Sequence, residues 1–197
     1  MTSLDASLWN DFLAGSNQAF ERIFLAHYDD LFRYGVRLAG DEEVVKDCIQ
    51  NLFQRLWQRR KALGAVGEIK PYLFIALRHH ITDELRAQQR RTALQSGYLG
   101  EVEGQYSPED FLIAQQLTSA QQAQLLAALK QLSNRHREAL YLRFFDGFSY
   151  ERISEMMNLH QQSVRNLVHQ AIKQLRLVLP HPLLLLLGGF VFSCFKC

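Results

Sequence analysis

Apolar side chains recur at three- and four-residue spacing along most of this chain. Between residues 19 and 38 the repeating positions are Phe20, Ile23, Phe24, Tyr28, Leu31 and Phe32. That spacing places them on one face of an α-helix, because a helix turns about 100° per residue. No stretch of useful length alternates apolar and polar residues as a half-buried strand does, and no fixed-period repeat occurs. The sequence therefore predicts an all-α fold.

Two breaks in this periodicity divide the chain. Residues 92–107 contain glycines, serines and two glutamates without an apolar stripe, which is typical of a flexible linker. Two prolines separate residues 180–197, an apolar tail, from the helix before it. We therefore expect two small helical domains, residues 1–91 and 108–179. The apolar stretch of the tail, residues 183–195, would span about 20 Å as a helix, too short to cross a bilayer, so we expect it to pack on the protein or a partner helix, with membrane contact as the less favoured alternative.

Helix boundaries follow from caps and breakers. Gly40 should end one helix and Asp41 should cap the next. Residues 63–67 read as a loop, and Pro71 suits the first turn of a helix that reaches about residue 90. Pro108 should open a further helix that reaches about residue 131.

Residues 133–176 predict helices joined by tight turns. Ser149 is a typical N-cap, and Asn158 tolerates the left-handed conformation that a turn requires. Such a helix-turn-helix places its last helix in the major groove, where Arg can bond guanine and Asn or Gln can bond adenine. The side chains expected to reach DNA are Gln161, Gln162, Ser163, Arg165, Asn166 and His169, with Lys173 suited to phosphate. A plain three-helix unit with a solvated polar face remains the alternative.

A net charge of +2 gives no global reason to bind nucleic acid, so local clusters must carry that argument. One basic run suited to phosphate contacts comprises Arg78, His79, His80, Arg86, Arg90 and Arg91. The alternative is that these residues only complement the dipole at a helix end. Residues 1–10 contain neither a basic stretch nor an apolar run, so we expect no signal peptide and a cytoplasmic protein.

No catalytic or metal-binding motif stands out. A nucleophile elbow, a phosphate-binding glycine loop and HExxH are all absent, and His79 and His80 have no third ligand at suitable spacing. Cys194 and Cys197 have C-x-x-C spacing without a second Cys or His pair nearby. We expect no enzymatic activity, metal, cofactor or small-molecule substrate. A Ser-His-Asp triad remains an alternative, because its three residues need to be adjacent only in the folded protein and not in the sequence.

Three motifs stand out within residues 132–176: Arg137-Glu138-Ala139-Leu140, the run from Leu142 to Tyr150, and Ser163-Val164-Arg165-Asn166. With these motifs the segment resembles conserved region 4 of bacterial RNA polymerase sigma factors. It implies that the helix-turn-helix reads the −35 promoter element and that the chain contacts the polymerase β flap. A one-component helix-turn-helix repressor or activator is the nearest alternative, but it leaves the first domain unexplained.

The first domain resembles sigma region 2. Asp47, Gln50, Phe53, Leu56 and Trp57 are similar to the segment that docks on the β′ clamp helices, which implies that Gln54 also lies at that interface. Tyr72-Leu73, Ile75-Ala76 and Asp83-Glu84-Leu85-Arg86 are similar to the segments that read and melt the −10 element. The resemblance also implies that the loop over residues 62–68 encloses a flipped −10 base.

No stretch resembles the additional regions of the larger sigma factors, so the chain resembles the compact extracytoplasmic-function (ECF) group. This resemblance implies core RNA polymerase, promoter DNA and an anti-sigma factor as partners. It also implies that an anti-sigma factor can hold the chain at the inner membrane. Residues 163–166 are most similar to the subgroup linked to iron-uptake receptors.

Overall fold

A computed structural model of the chain describes residues 3–96, 106–111 and 118–179. Within these ranges the predicted all-α fold is confirmed, and no strand is present. The helices are α1 (Ser3–Leu13), α2 (Asn17–Ala39), α3 (Glu42–Arg59), α4 (Ile69–Ser96), α5 (Ser119–Lys130), α6 (Asn134–Phe144), α7 (Tyr150–Met157) and α8 (Gln161–Val178). The chain divides into two compact units, Met1–Val102 and Glu103–Cys197, so the division falls within the predicted linker.

Unit 1 is organised around α2, which packs against α1, α3 and α4. Helix α2 ends where Gly40 adopts a φ of 70° and donates its N–H to the Val36 carbonyl. The Asp41 carboxylate then accepts the N–H of Glu43 at 2.9 Å and caps α3, as expected. The apolar core between these helices includes Ile23, Leu31, Tyr34, Val45, Ile49, Leu52, Leu73, Phe74, Leu77 and Ile81.

Helices α2, α3 and α4 approach closely at Gly35. A Cβ atom at this position would lie 2.5 Å from Val45 Cγ1 and 3.2 Å from Ile81 Cδ1. The first distance is far shorter than a carbon–carbon contact allows. The helix spacing in unit 1 therefore requires glycine at position 35.

Helix α1 was not expected from the sequence. Its Trp9 and Phe12 are each 1% exposed, and Trp9 packs edge-on against Tyr72 at 5.3 Å between ring centroids. Phe12 stacks against Phe20 of α2 at 5.9 Å. The N-terminal segment is therefore part of the core of unit 1.

Unit 2 consists of α5 to α8 preceded by a single 3₁₀ turn at Pro108–Phe111. Helix α8 packs against α5, α6 and α7. Phe111 of the 3₁₀ turn lies edge-on to Tyr141 and Phe145 at 5.6 and 5.3 Å between ring centroids. The apolar core includes Leu125, Leu129, Ala139, Leu142, Ile153, Met156, Val164, Val168, Ala171 and Leu175.

The Arg137 side chain joins three segments of unit 2. Its Nε donates to the Tyr106 carbonyl at 2.6 Å, and its Nη1 donates to the carbonyls of Leu129, at 3.1 Å, and Leu132. Its Nη2 donates to Asn134 Oδ1. Burial lowers the pKa of Arg137, yet a guanidinium stays charged at any physiological pH. One side chain thus connects the chain at residue 106 to the end of α5 and the start of α6.

The predicted linker is too long at both ends. Helix α4 continues to Ser96 rather than ending near Arg90, and Tyr106 is only 1% exposed because it packs against Tyr141. The helix expected from Pro108 is also corrected, since α5 begins at Ser119 after a capping box between Thr118 and Gln121. Residues 97–105 and the tail at 180–197 lie outside the described residues, so linker flexibility and tail packing stay predictions.

Candidate nucleic-acid and protein interfaces

The turn between α7 and α8 fixes the helix-turn-helix of unit 2. Ser149 Oγ accepts the N–H of Arg152 at 3.2 Å and caps α7. Asn158 ends α7 with a φ of 52° and ψ of 48°, the left-handed conformation expected for it. His160 is the N-cap of α8 but makes no side-chain capping bond. A turn of three residues therefore separates the two helices.

The outer face of α8 carries all seven residues predicted to contact the −35 element. Its inner face buries Val164, Val168, Ala171 and Leu175. All seven predicted residues, Gln161, Gln162, Ser163, Arg165, Asn166, His169 and Lys173, are exposed. Gln162, Arg165, Asn166, His169 and Lys173 are linked by spacings of three or four residues and so share one face, and Gln161 and Ser163 lie at its edges. This face is polar and basic along three turns.

Two contacts hold side chains on this face before any DNA is bound. The Arg165 guanidinium lies over the Tyr150 ring at 5.2 Å, and the Arg143 guanidinium lies over the same ring at 4.8 Å. Gln162 Nε2 donates to Asn166 Oδ1 at 3.1 Å. Tyr150 and Arg143 had no role in the sequence-based site, because the contact of Tyr150 with Arg165 of α8 and the contact of Arg143 with Tyr150 depend on the fold. The tyrosine ring favours one orientation of Arg165.

The basic residues of α4 do not form a single surface. At about 100° per residue, His79, Arg86 and Arg90 lie within about 40° of one another, and all three are exposed. Arg91 falls on a neighbouring face and pairs with Glu84 at 3.7 Å. Arg78 is half-buried and donates from Nη1 to the Tyr34 hydroxyl at 3.1 Å. Arg78 is thus occupied in part by the core of unit 1.

His80 is half-buried on the same side of α4 as Arg91. Burial lowers the pKa of the His80 imidazole, and the Arg55 guanidinium lowers it further, while Asp83 acts in the opposite direction. The folded protein therefore keeps this imidazole neutral near pH 7. His80 adds a hydrogen-bonding group to this region but no positive charge.

A groove of about 680 Å³ runs along α2 and α3 in unit 1. It is lined by Phe20, Phe24, Tyr28, Lys46, Ile49, Gln50, Phe53, Gln54, Trp57 and Gln58. Four residues of the predicted polymerase-docking segment, Gln50, Phe53, Gln54 and Trp57, line it, whereas Asp47 is exposed and Leu56 is buried outside the lining. The sequence did not identify the α2 side of the groove.

Aromatic residues form the floor of this groove. Phe53 is only 4% exposed and lies edge-on to Phe24 at 4.9 Å, so it supports the surface rather than projecting from it. Trp57 is half-buried, packs on Phe20 at 5.1 Å and carries the Arg60 guanidinium over its ring at 4.2 Å. Gln50 and Gln54 are exposed beside them. An apolar floor with polar edges is typical of a surface that receives a partner helix.

No group of three metal-binding side chains occurs within residues 3–96, 106–111 and 118–179. Cys48 is buried in unit 1, and burial raises the pKa of its thiol to about 11, so the thiol stays protonated. Cys194 and Cys197 lie outside those ranges. None of the helices in the same ranges is long and apolar enough to cross a membrane.

A helix-turn-helix with a polar, basic outer face, in a chain that also has a separate helical unit with an aromatic groove, defines a DNA-binding transcription protein. Residues 23–91 match Sigma-70 region 2 and residues 122–175 match Sigma-70, region 4. Together the two matches cover more than half of the sequence. The chain belongs to the sigma-70 family, as an ECF sigma factor that directs promoter recognition by RNA polymerase.

Curated relatives are consistent with this assignment. The ECF RNA polymerase sigma factor SigL of Mycobacterium tuberculosis is 28% identical over 85% of this chain and 94% of its own length. SigM of Bacillus subtilis is 21% identical over 79% of this chain and 92% of its own. The family is not enzymatic.

Solved structures share the fold. RpoE from Bartonella quintana, in complex with the anti-sigma factor NepR, matches with a TM-score of 0.55 and 22% identity over 81% of this chain and 95% of its own. CnrH, in complex with the cytosolic domain of CnrY, matches with a TM-score of 0.54 and 17% identity over 87% of this chain and 94% of its own.

Proposed function

We propose that the two units divide promoter recognition between them. Unit 2 reads the −35 element through the outer face of α8. Unit 1 docks on the β′ clamp helices through the α2–α3 groove and contacts the −10 strand through α4 and the loop at residues 62–68. The observation that carries the proposal is the exposed polar stripe on α8, where Arg165 is held on Tyr150.

Run-off transcription with purified core polymerase on a promoter library tests this proposal. Transcripts that depend on this protein and share −35 and −10 sequences are the expected result. Specific DNA binding in the absence of core polymerase, without dependent transcripts, would instead favour a one-component repressor or activator.

For −10 contact, α4 offers His79, Arg86 and Arg90 as one exposed group. Arginines in this arrangement suit phosphates of the strand that is separated from the duplex. Three other residues flank the group: Arg78 donates to the Tyr34 hydroxyl, Arg91 pairs with Glu84, and His80 is half-buried. We therefore assign the principal backbone contacts to the exposed group and supporting positions to the other three.

An anti-sigma factor is the proposed inhibitor, and the α2–α3 groove is its proposed binding surface on unit 1. RpoE was determined in complex with the anti-sigma factor NepR, and CnrH in complex with the cytosolic domain of CnrY. We place the protein in the cytoplasm with the polymerase, where a membrane-bound anti-sigma factor can hold it at the inner membrane. The sequence of residues 163–166 supports the subgroup linked to iron-uptake receptors.

Arg165→Ala should relax base preference at one −35 position. A guanidinium bonded to a base edge contributes about 1–3 kcal/mol of discrimination, or roughly 5–150-fold. Lys173→Ala is the matched control on the same face, and it should weaken all promoters alike and lower the salt slope by about one. Holoenzyme assays on one promoter and its point variants, at several salt concentrations, measure both effects. Unchanged preference for Arg165→Ala would contradict the proposed register of α8.

Gln54→Arg should weaken core polymerase binding by about tenfold, because it places a long cation at the edge of the aromatic groove. Asn51→Arg is the matched control, since Asn51 is exposed on the same helix outside the groove lining. Affinity purification of tagged full-length proteins from the native host, followed by mass spectrometry, measures the effect. The wild type and the control should recover core subunits and one small inhibitor. Equal recovery with Gln54→Arg would remove the groove from the interface.

A further inference from the structure

The indole of Trp9 is hydrogen-bonded to a loop far along the chain. Its Nε1–H donates to the carbonyl oxygen of Gly64 at 3.0 Å. Trp9 is itself fixed, because Phe12 packs against it at 5.0 Å and Tyr72 packs edge-on at 5.3 Å between ring centroids. Helix α1 therefore holds the loop at residues 62–68, which follows the end of α3 through a 3₁₀ turn at Arg60–Ala62 and leads to the start of α4.

The small residues of the loop contribute little packing. Gly64, Ala65 and Gly67 are exposed, and a Cβ atom at either glycine would meet nothing within 4 Å, whereas Leu63 and Val66 are half-buried. Exposed backbone at such small residues loses considerable conformational entropy when it is ordered around a ligand. An anchor that orders the loop beforehand reduces that loss.

The hydrogen bond also fixes the direction of one backbone donor. The peptide unit between Gly64 and Ala65 is planar and trans, so its C=O and its N–H point in opposite directions. Since the Gly64 oxygen points to the buried indole, the Ala65 N–H points away from it. A backbone N–H held in this way can donate to an acceptor atom on an unpaired base.

We infer that Trp9 is a positioning residue for base capture: its indole presets the loop at residues 62–68 to accept an unpaired base of the −10 strand. This inference rests on the proposed function, which gives this loop its role. It assigns a part in promoter opening to α1, which lies outside both matched sigma regions.

The test compares Trp9→Phe with the wild type in reconstituted holoenzyme. Phenylalanine retains an aromatic ring on Phe12 and Tyr72 but has no N–H for Gly64. Base preference at the enclosed −10 position should fall about fivefold, as expected for one lost hydrogen bond. Open-complex formation, followed by permanganate reactivity of −10 thymines, should slow to a similar extent. Core affinity and −35 preference should stay at wild-type values.

Leu38→Val controls for loss of stability. Leu38 is 4% exposed and lies about 27 Å along α2 from Phe20, against which α1 packs, so this change loosens the core of unit 1 far from α1. Unfolding midpoints from tryptophan fluorescence, which reports Trp57 alone in Trp9→Phe and both tryptophans in Leu38→Val, verify that both variants are folded and establish their stability. Leu38→Val should keep the wild-type −10 preference.

Each remaining outcome has a definite meaning. Wild-type base preference in a folded Trp9→Phe protein overturns the inference, and so does an equal loss of preference in Leu38→Val. Failure of the wild-type holoenzyme to open the −10 region contradicts the proposed function itself.

Discussion

Arg137→Ala should lower the free energy of unfolding of unit 2 by about 3 kcal/mol. The change removes a charged donor from the carbonyls of Tyr106, Leu129 and Leu132. Hydrogen bonds to charged groups contribute about 1.5–3 kcal/mol each, but the half-buried position lets water replace some of them. The segment at residue 106 should then detach from α5 and α6, and −35-dependent transcription should fall while core binding persists.

Two optical probes separate the units in this measurement. Both tryptophans of the chain, Trp9 and Trp57, lie in unit 1, so their fluorescence follows that unit alone. Far-ultraviolet circular dichroism follows all helices, and a transition seen only by this probe belongs to unit 2. Arg137→Ala should shift that transition and leave the fluorescence transition in place.

Matched variants identify the cause of this shift. Arg137→Lys should recover only part of the lost stability, since an ammonium lacks the planar fork that reaches several acceptors at once. Arg152→Ala, which removes an ion pair with Glu155 at 3.0 Å on α7, should change stability by less than about 0.5 kcal/mol. An unshifted circular dichroism transition for Arg137→Ala would show that these carbonyls need no such donor.

Gly35→Ala should destabilise unit 1 by about 2 kcal/mol, although alanine favours helices by about 1 kcal/mol over glycine. Overpacking costs about 1–3 kcal/mol, and a Cβ atom 2.5 Å from Val45 Cγ1 belongs at the upper end of that range. Val45 is β-branched and cannot rotate away without strain in α3. The tryptophan fluorescence transition should move to lower urea, while the transition of unit 2 stays in place.

A double substitution tests the steric cause directly. Gly35→Ala with Val45→Ala removes the Cγ atom in the way, so the pair should be more stable than the sum of the single effects predicts. Gly67→Ala is the control, because a Cβ atom there meets nothing within 4 Å. Additive losses in the double variant would exclude the clash as the cause.

Local chemistry made much of this fold predictable. Gly40 with Asp41, Ser149 and Asn158 each act at the helix ends where the sequence placed them, because caps and left-handed turns depend on one or two residues. The exposed face of α8 followed from periodicity in the same way, since its apolar residues fill one side. These features require no knowledge of distant contacts.

The features that escaped prediction depend on partners far along the chain. Helix α1 has a short apolar stripe, and its packing depends on contacts of Trp9 with Tyr72 and of Phe12 with Phe20. The burial of Phe53 at the floor of the groove likewise depends on Phe20 and Phe24 of α2. The start of α5, in contrast, could have been predicted from the sequence, because Thr118 and Gln121 form a capping box that depends only on neighbouring residues.

The amide pair on α8 has a consequence for how promoters of this sigma factor should be searched for. Gln162 Nε2 and Asn166 Oδ1 are bonded to each other in the free protein, so a rearrangement of either amide at a base edge changes the donors and acceptors that the other can offer. Under the proposed contacts, the energetic preference at one −35 position then depends on the base at the other. A scoring matrix that adds independent contributions from each position would misrank such sites. A regulon search should score these two positions as a dinucleotide.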